Sequence, residues 1–272
     1  MAARPRRRRG GPLVGDYSTI IFEVGDDHVA TITLNRPETL NSFNETMAAE
    51  VVDVWRTVRD TDDVHAVVLR AEGDRAFCTG IDVTEGAWWY HLNIWNQADP
   101  GFLLGPKAHK CWKPVVAAVH GMCAGGGQYF VNESDIIICS EDATFFDPHA
   151  SRGVTSVLEP IGLLHRNVPL GDVLRWALLG NEERLTAATA LRLGIVTEIV
   201  PREELWSRAH QLAAEIAARR PEAIQGTVRA IWESLDATRS AALQTGIIYT
   251  HVGNPAPGQR PGVAPKRAPR FR

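Results

Sequence analysis

Two glycine-rich segments of this chain could gather backbone N–H groups around a developing negative charge. The first is Arg75-Ala-Phe-Cys-Thr-Gly-Ile-Asp82 and the second is Ala118-Val-His-Gly-Met-Cys-Ala-Gly-Gly-Gly127. Each directly follows an apolar, β-rich run, and the second opens a helix. Glycine lets the backbone turn tightly and lets a ligand come close. Free N–H groups at the start of a helix favour negative charge. Two such groups from separate loops, aimed at one point, would stabilise an enolate or a tetrahedral oxyanion. A glycine triplet at a helix start equally serves plain close packing. It is not a P-loop, because no Gly-Lys-Ser/Thr follows, and it is not a GxGxxG dinucleotide fingerprint.

The surrounding elements have to hold these segments in place. Ser18–Val24 and His28–Leu34 are β-rich runs divided by Gly25-Asp26-Asp27, a strand–turn–strand pattern. Asn44 can cap a helix from Glu45 to Arg59, with Met47, Val51, Val54, Trp55 and Val58 at helical spacing. Val64–Leu69, Pro114–Val119 and Asp135–Cys139 read as further strands, the second with its proline at the start, where a missing N–H costs least. Strands alternating with helices predict an α/β fold with parallel pairing. An amphipathic stretch runs from Thr84 to Lys110. From Pro169 onward the pattern is helical, with Leu205, Ala209, Leu212 and Ile216 on one face.

The chain has 272 residues and 44% apolar content, enough for one large core with a helical appendage. A net charge of -3 favours no class of partner by itself. Arginines 4 and 6–9 make a basic N-terminus, which reads as a solvated, disordered tail over residues 1–15 rather than a nucleic-acid arm. Residues 16–200 form the predicted core, 201–253 a helical region, and 254–272 a proline-rich basic tail. No apolar run reaches the roughly 20 residues that a membrane span needs. Cys78, Cys111, Cys123 and Cys139 form no CxxC pair and no zinc pattern, so they are expected to be reduced thiols of a cytoplasmic protein, with no metal site.

The ordered set of motifs resembles the crotonase superfamily, the enoyl-CoA hydratase/isomerase family. The matching pieces are Leu34-Asn-Arg-Pro-Glu38, Ala76–Asp82, Lys113–Gly121, Ala124-Gly-Gly-Gly127, Ser134–Ile138, Phe145-Phe-Asp-Pro148 and Ala187–Val200. The resemblance implies repeated ββα units coiled into a spiral, and a C-terminal helical region used for trimerisation, giving a homotrimer or homohexamer. It implies an acyl-CoA substrate with coenzyme A as part of it, and no prosthetic group. It assigns the oxyanion-binding N–H groups to Ile81 and Gly126. It makes Thr79, Asp82 and Gly125 neighbours of CoA, and gives Lys266 a role at the CoA phosphates. Single-stranded RNA-binding relatives of this fold exist, but nucleic acid is not the expected partner.

Two positions depart from that pattern. The resemblance places one catalytic glutamate where this chain has Tyr129 and the other where it has His149. Tyrosine, with an ordinary pKa near 10, is mainly a donor at neutral pH. It can orient water or simply fill space. Histidine can act as acid or base, and His149 resembles the histidine of relatives that hydrolyse carbon–carbon bonds. Glu159 either sits as an acid near a helix start or completes a dyad with His149. Asp147 reads as a strand residue, and Glu133 as either a partner within the interior or an exposed residue rather than a catalytic one. The reactions compatible with this set are hydration or dehydration, isomerisation, and hydrolysis of a thioester or carbon–carbon bond. A non-catalytic acyl-CoA binder is the remaining alternative. Trp88, His91 and Trp95 share a helical spacing that serves either core packing or an acyl pocket. If they shape the pocket, a ring-bearing acyl-CoA should show a higher kcat/KM than a straight-chain one. Equal values in steady-state assays would refute that role.

Overall fold

The computed structural model describes residues 6–7, 13–14, 16–85, 95, 99–255 and 270. Residues 1–221 form one compact unit and residues 222–272 a second. The first unit holds two sheets. The larger has the order β1 (Arg6–Arg7), β2 (Leu13–Val14), β3 (Ile20–Val24), β4 (Val29–Leu34), β5 (Ala66–Ala71), β7 (Val115–Val119), β9 (Ile136–Ser140) and β12 (Glu198–Val200). Pairing is antiparallel from β1 to β4 and parallel from β4 to β12. The predicted hairpin is β3–β4, and the predicted parallel strands are β5, β7 and β9. The smaller sheet has the order β11 (Leu185–Thr186), β10 (Thr144–Phe146), β8 (Met122–Ala124) and β6 (Ala76–Cys78).

Side-chain alternation divides the large sheet between two cores. Val67 and Leu69 of β5, Val115, Ala117 and Val119 of β7, and Ile137 and Cys139 of β9 face the main core. The residues between them, Ala66, Val68, Val116, Ala118 and Ile138, face α6 (Leu205–Ala217). Both faces are therefore apolar, as a covered parallel sheet requires. The face of α6 that is buried is Leu205, Ala209, Ala213 and Ala217. The sequence stripe through Leu212 and Ile216 was one position off, because small alanines let the helix lie close to the sheet while the larger residues flank the contact. The division between the two units falls at 221/222, beyond α6.

The helix α1 (Glu45–Asp60) follows its predicted span, and the Asn44 side chain accepts the Met47 N–H at 2.9 Å. Met47, Val51, Val54, Trp55 and Val58 are all buried on it. The stretch from Thr84 to Lys110 differs from its reading. Its described parts are short 3₁₀ turns at Val83–Glu85, Pro100–Leu103 and Lys107–His109. Trp88 and His91 lie outside the described residues, and Trp95 is 90% exposed rather than packed on a core face. Proline at 100 and 106 interrupts any continuous helix there. The region after Pro169 is less uniformly helical than its pattern, since β11 and β12 return to the two sheets. All four cysteines are buried free thiols.

The second unit contains α7 (Pro221–Ser234) and α8 (Arg239–Gly253). They pack antiparallel, with Gly226 against Tyr249 and Gly253 against the backbone of Glu222. The Tyr249 hydroxyl donates to Glu233, which also pairs with Arg229 at 2.8 Å. Ile231, Leu243, Ile247 and Val252 are exposed on this pair. No helix among the described residues is long and apolar enough to cross a membrane.

Asn41 ties the segment before α1 to the loop before β6. It is fully buried with φ 54, accepts the Arg36 N–H at 2.8 Å, and donates to Glu72 O at 2.8 Å and Ala76 O at 3.0 Å. Asn tolerates the left-handed region better than most residues because its short amide bonds locally. Asn41→Ala would orphan one buried and two partly buried backbone groups and should cost about 2 kcal/mol or more. The measurement is the denaturant midpoint, and a loss below about 1 kcal/mol would mean that water replaces the amide.

Candidate active site

Three parallel strands of the small sheet end side by side, and each end carries one part of the site. β6 runs into Thr79–Asp82, β8 into Gly125–Gly127, and β10 into Asp147–His149. Ligands gather at the carboxyl ends of parallel strands for this reason: the loops there are free to converge. A cavity of about 280 Å3 opens at these ends, lined by Phe43, Thr79, Ile81, Gly126, Tyr129 and His149, with Asp99 and Arg152 also on its wall.

The two glycine loops touch. Gly80 has φ +91, and a Cβ added there would lie 2.9 Å from the Gly126 nitrogen and 3.3 Å from Ala124 O. Only glycine fits both the dihedral and the gap. Ile81 forms a parallel bridge with Phe43. Phe43 N–H donates to Gly80 O at 2.8 Å, and Asp82 N–H donates to Phe43 O at 2.9 Å. Successive N–H groups alternate in direction along an extended chain, so the Ile81 N–H points away from Phe43. Gly125 is held by its own N–H, which donates to Phe146 O at 3.1 Å. Among the described residues, neither the Ile81 nor the Gly126 N–H has an acceptor.

The third strand end carries the titratable groups. The His149 ring Nδ1 bonds the Asp147 carboxylate very closely, and the His149 backbone N–H donates to the same oxygen at 3.1 Å. On the other side of the ring, His149 Nε2 lies 3.6 Å from Glu159 Oε1. Glu159 is 1% exposed on the first turn of α3 (Leu158–His165), and its Oε2 accepts from the Ser156 hydroxyl at 3.2 Å. Its Oε1 is buried without a hydrogen bond. Glu159 is thus inside the site, and helix-start electrostatics alone does not describe it. The Asp147 hydrogen bond raises the His149 pKa above the usual imidazole range. Burial raises the Glu159 carboxyl, with His149 partly opposing it. Burial also pushes Asp147 up, but the hydrogen bonds led by the His149 ring outweigh it and hold that carboxyl below its usual range.

Tyr129 sits on α2 (Gly127–Asn132), with its ring against Gly101 and 6.1 Å from the Phe43 ring, centroid to centroid. Burial first, and the Glu159 carboxylate second, push its hydroxyl far above the ordinary tyrosine range. It stays a neutral donor and walls the cavity. Glu133, one turn further on, accepts the Lys107 N–H at 2.7 Å in the interior and lies off the cavity.

Asp147, His149 and Glu159 offer ligand atoms within 4.8 Å of one another. The imidazole nevertheless divides them. Its Nδ1 is occupied by Asp147, so only Nε2 and Glu159 Oε1 could meet one ion, short of a three-ligand catalytic set. The arrangement is a hydrogen-bonded Asp147–His149 pair with Glu159 beside the ring.

Of the residues expected to neighbour CoA, Thr79 and Gly125 line the cavity. Asp82 is placed differently: it is buried, bonded to Arg36 at 2.9 Å and to the Thr84 hydroxyl at 2.6 Å, and off the cavity wall. Its carboxylate braces the first loop against the Asn35–Ser42 turn. Lys266 lies outside the described residues. Sequence reasoning passed over Asp147, which is the immediate partner of His149. The available signal was its position two residues before His149, across a proline that stiffens the link.

The chain is similar to known proteins. A family model described as enoyl-CoA hydratase/isomerase matches residues 25–251. The chain is 31% identical over 233 residues to (E)-benzylidenesuccinyl-CoA hydratase of Thauera aromatica, covering 86% of this chain and 88% of that one. It is 31% identical over 226 residues to (7aS)-7a-methyl-1,5-dioxo-2,3,5,6,7,7a-hexahydro-1H-indene-carboxyl-CoA hydrolase of Rhodococcus jostii, covering 82% and 85%. A crystal structure of an enoyl-CoA hydratase/isomerase from Mycobacterium paratuberculosis superposes with a TM-score of 0.78 at 36% identity, covering 87% of this chain and 90% of that one. A match running through both glycine loops and all three strand ends leaves one conclusion: the chain belongs to the enoyl-CoA hydratase/isomerase family of the crotonase superfamily.

Proposed function

We propose that this chain is an acyl-CoA-processing enzyme whose Ile81 and Gly126 N–H groups bind the thioester oxygen and whose His149 and Glu159 move protons beside it. The observation that carries the reading is the meeting of those two N–H groups, unpartnered among the described residues, with the His149 ring at one cavity, Glu159 standing behind the wall 3.6 Å from Nε2. Fixed donors cost no reorganisation as charge develops, and a water-poor cavity strengthens them. The species formed is an enolate or an enolate-like oxyanion. A base removes a proton from, or activates water toward, the acyl chain, and an acid returns one. His149 and Glu159 fit these two tasks, since one carries a raised imidazole pKa and the other a raised carboxyl pKa. Tyr129 shapes the cavity and donates a hydrogen bond without ionising. Coenzyme A enters as part of the substrate, with Thr79 and Gly125 beside it.

Hydration, dehydration or isomerisation of an enoyl-CoA is the leading reaction class, in line with the family. Hydrolysis is the second reading. Its specific support is His149 in place of a glutamate, together with the hydrolase name of one relative. Exposed Ile231, Leu243, Ile247 and Val252 on α7 and α8 support self-association as a homotrimer or homohexamer. Buried free thiols suit a reducing, cytoplasmic setting.

A mass-spectrometric screen against 2-enoyl, 3-hydroxy, β-keto, cyclic and aromatic acyl-CoAs tests the reading. Turnover of one class is expected, reduced about 10²- to 10⁴-fold in His149→Ala and less in Glu159→Gln. Acyl-CoA binding with no product from any thioester would sink the catalytic reading and leave a binding protein. Gly80→Ala should abolish turnover of the same substrate, because its Cβ would drive the two loops apart. Wild-type kcat/KM in that variant would remove the N–H pair from the mechanism.

With His149 as the base, kcat/KM should fall at acid pH with an apparent pKa above the ordinary 6.5 of histidine. The sign follows from the neutral ring being the active form, while Asp147 favours the protonated one. An acid limb well below 6.5 in the pH–rate profile would exclude His149 as that base.

A further inference from the structure

We propose that Asp147 is a positioning residue: its buried carboxylate holds the Nδ1–H of His149 and so presents Nε2 to Glu159 and the cavity. The proposal deepens the functional reading above and rests on His149 being the proton-transfer group there.

Four observations carry it. Asp147 directly follows β10, whose pairing with β8 and β11 fixes the backbone at that point. Pro148 restricts the one residue between Asp147 and His149. One carboxylate oxygen of Asp147 takes both the ring Nδ1 and the backbone N–H of His149, closing a small loop that sets the imidazole plane. Gly125 completes the seat, since a Cβ there would lie 3.2 Å from Pro148 and 3.6 Å from the His149 ring.

The charge balance points the same way. Asp147 is 0% exposed, and its second oxygen has no hydrogen bond among the described residues. A buried carboxylate is costly unless hydrogen-bonded, and the bonds led by the His149 ring favour its ionised form over the effect of burial. An ionised acceptor at Nδ1 requires a proton there. The neutral ring then carries its lone pair on Nε2, the nitrogen 3.6 Å from Glu159 Oε1. That distance is beyond a direct hydrogen bond yet too short for an atom to lie between the two, so a water or substrate atom would meet Nε2 from the cavity side, where His149 lines the wall. The other groups facing the ring are Asp99, which favours the imidazolium, the neutral Tyr129 hydroxyl, and Arg152 on the cavity wall. Glu159 is therefore not the orienter of His149. It is a buried acid beside Nε2, behind the cavity wall.

The test begins with ¹⁵N NMR of the histidine rings in the wild-type protein, with His149 assigned by His149→Gln. His149 is expected as the Nδ1–H tautomer when neutral. An Nε2–H tautomer overturns the proposal without any variant having to fold. The second arm is Asp147→Asn, similar in shape to the native side chain. Loss of the negative charge should lower the His149 pKa by about one unit or more. The acid limb of kcat/KM should move down with it. Because an amide can hold the wrong tautomer, kcat should fall about 10²- to 10⁴-fold with KM little changed. Asp147→Glu should restore part of the pKa shift. Unchanged His149 titration and kcat in Asp147→Asn would overturn the proposal. A wild-type protein inert to every acyl-CoA, yet showing the expected tautomer and pKa shift, would sink the functional reading and leave the role of Asp147 standing.

Discussion

The Gly80 backbone runs so close to the Gly126 nitrogen that one added carbon would meet it at 2.9 Å. Much of the site depends on that approach. It brings the loops after β6 and β8 into contact, and so brings the Ile81 and Gly126 N–H groups to one cavity. A second contact reinforces it: a Cβ on Gly127 would collide with Cys78 O, one strand over. The glycines are thus spacers between backbones as much as turn formers. The N–H groups are backbone atoms, so the side chain at 81 is free to be isoleucine.

The loops are braced from outside the small sheet. Asn41 links the turn before α1 to the residues leading into β6, and Phe43 bridges Ile81. Arg36 adds ion pairs to Asp82 and Glu85, with Asp82 held below its usual pKa, since the bonds from Thr84 and Arg36 outweigh its burial. Each contact satisfies a buried polar group and limits how far the first loop can move. The cavity is assembled by these polar contacts at its edge and by aromatic bulk from Phe43 and Tyr129 within it.

The two buried carboxylates beside the His149 ring carry charge differently. One carboxylate, Asp147, is buried, ionised and turned toward its own loop. The other, Glu159, is buried and pushed toward its neutral form. An imidazole lies between them. Two buried acids are shifted in opposite directions: the hydrogen bonds led by the His149 ring outweigh burial at Asp147, whereas burial prevails at Glu159, whose Oε1 has no hydrogen bond among the described residues.

Much of the protein was legible in the linear sequence. β-rich and continuous apolar runs marked the strands β3, β4, β5, β7 and β9, and the Asn44 cap with its helical stripe marked α1, because these signals are local. The glycine loops were legible for the same reason: each is a short motif at a strand end. The role of Asp147 was not, since only a folded chain shows that the strand ends there and that the side chain turns back onto the ring two residues later. Nor did any local pattern reveal that β6, β8 and β10 are neighbours. Their residues are separated by more than forty positions from first to second and by some twenty from second to third, and the pairing of parallel strands is a long-range event. Sequence alone determined which segments could carry chemistry. The tertiary structure decided that three strand ends meet, because the convergence of N–H groups, imidazole and carboxylates is a property of strand order, which no single segment encodes.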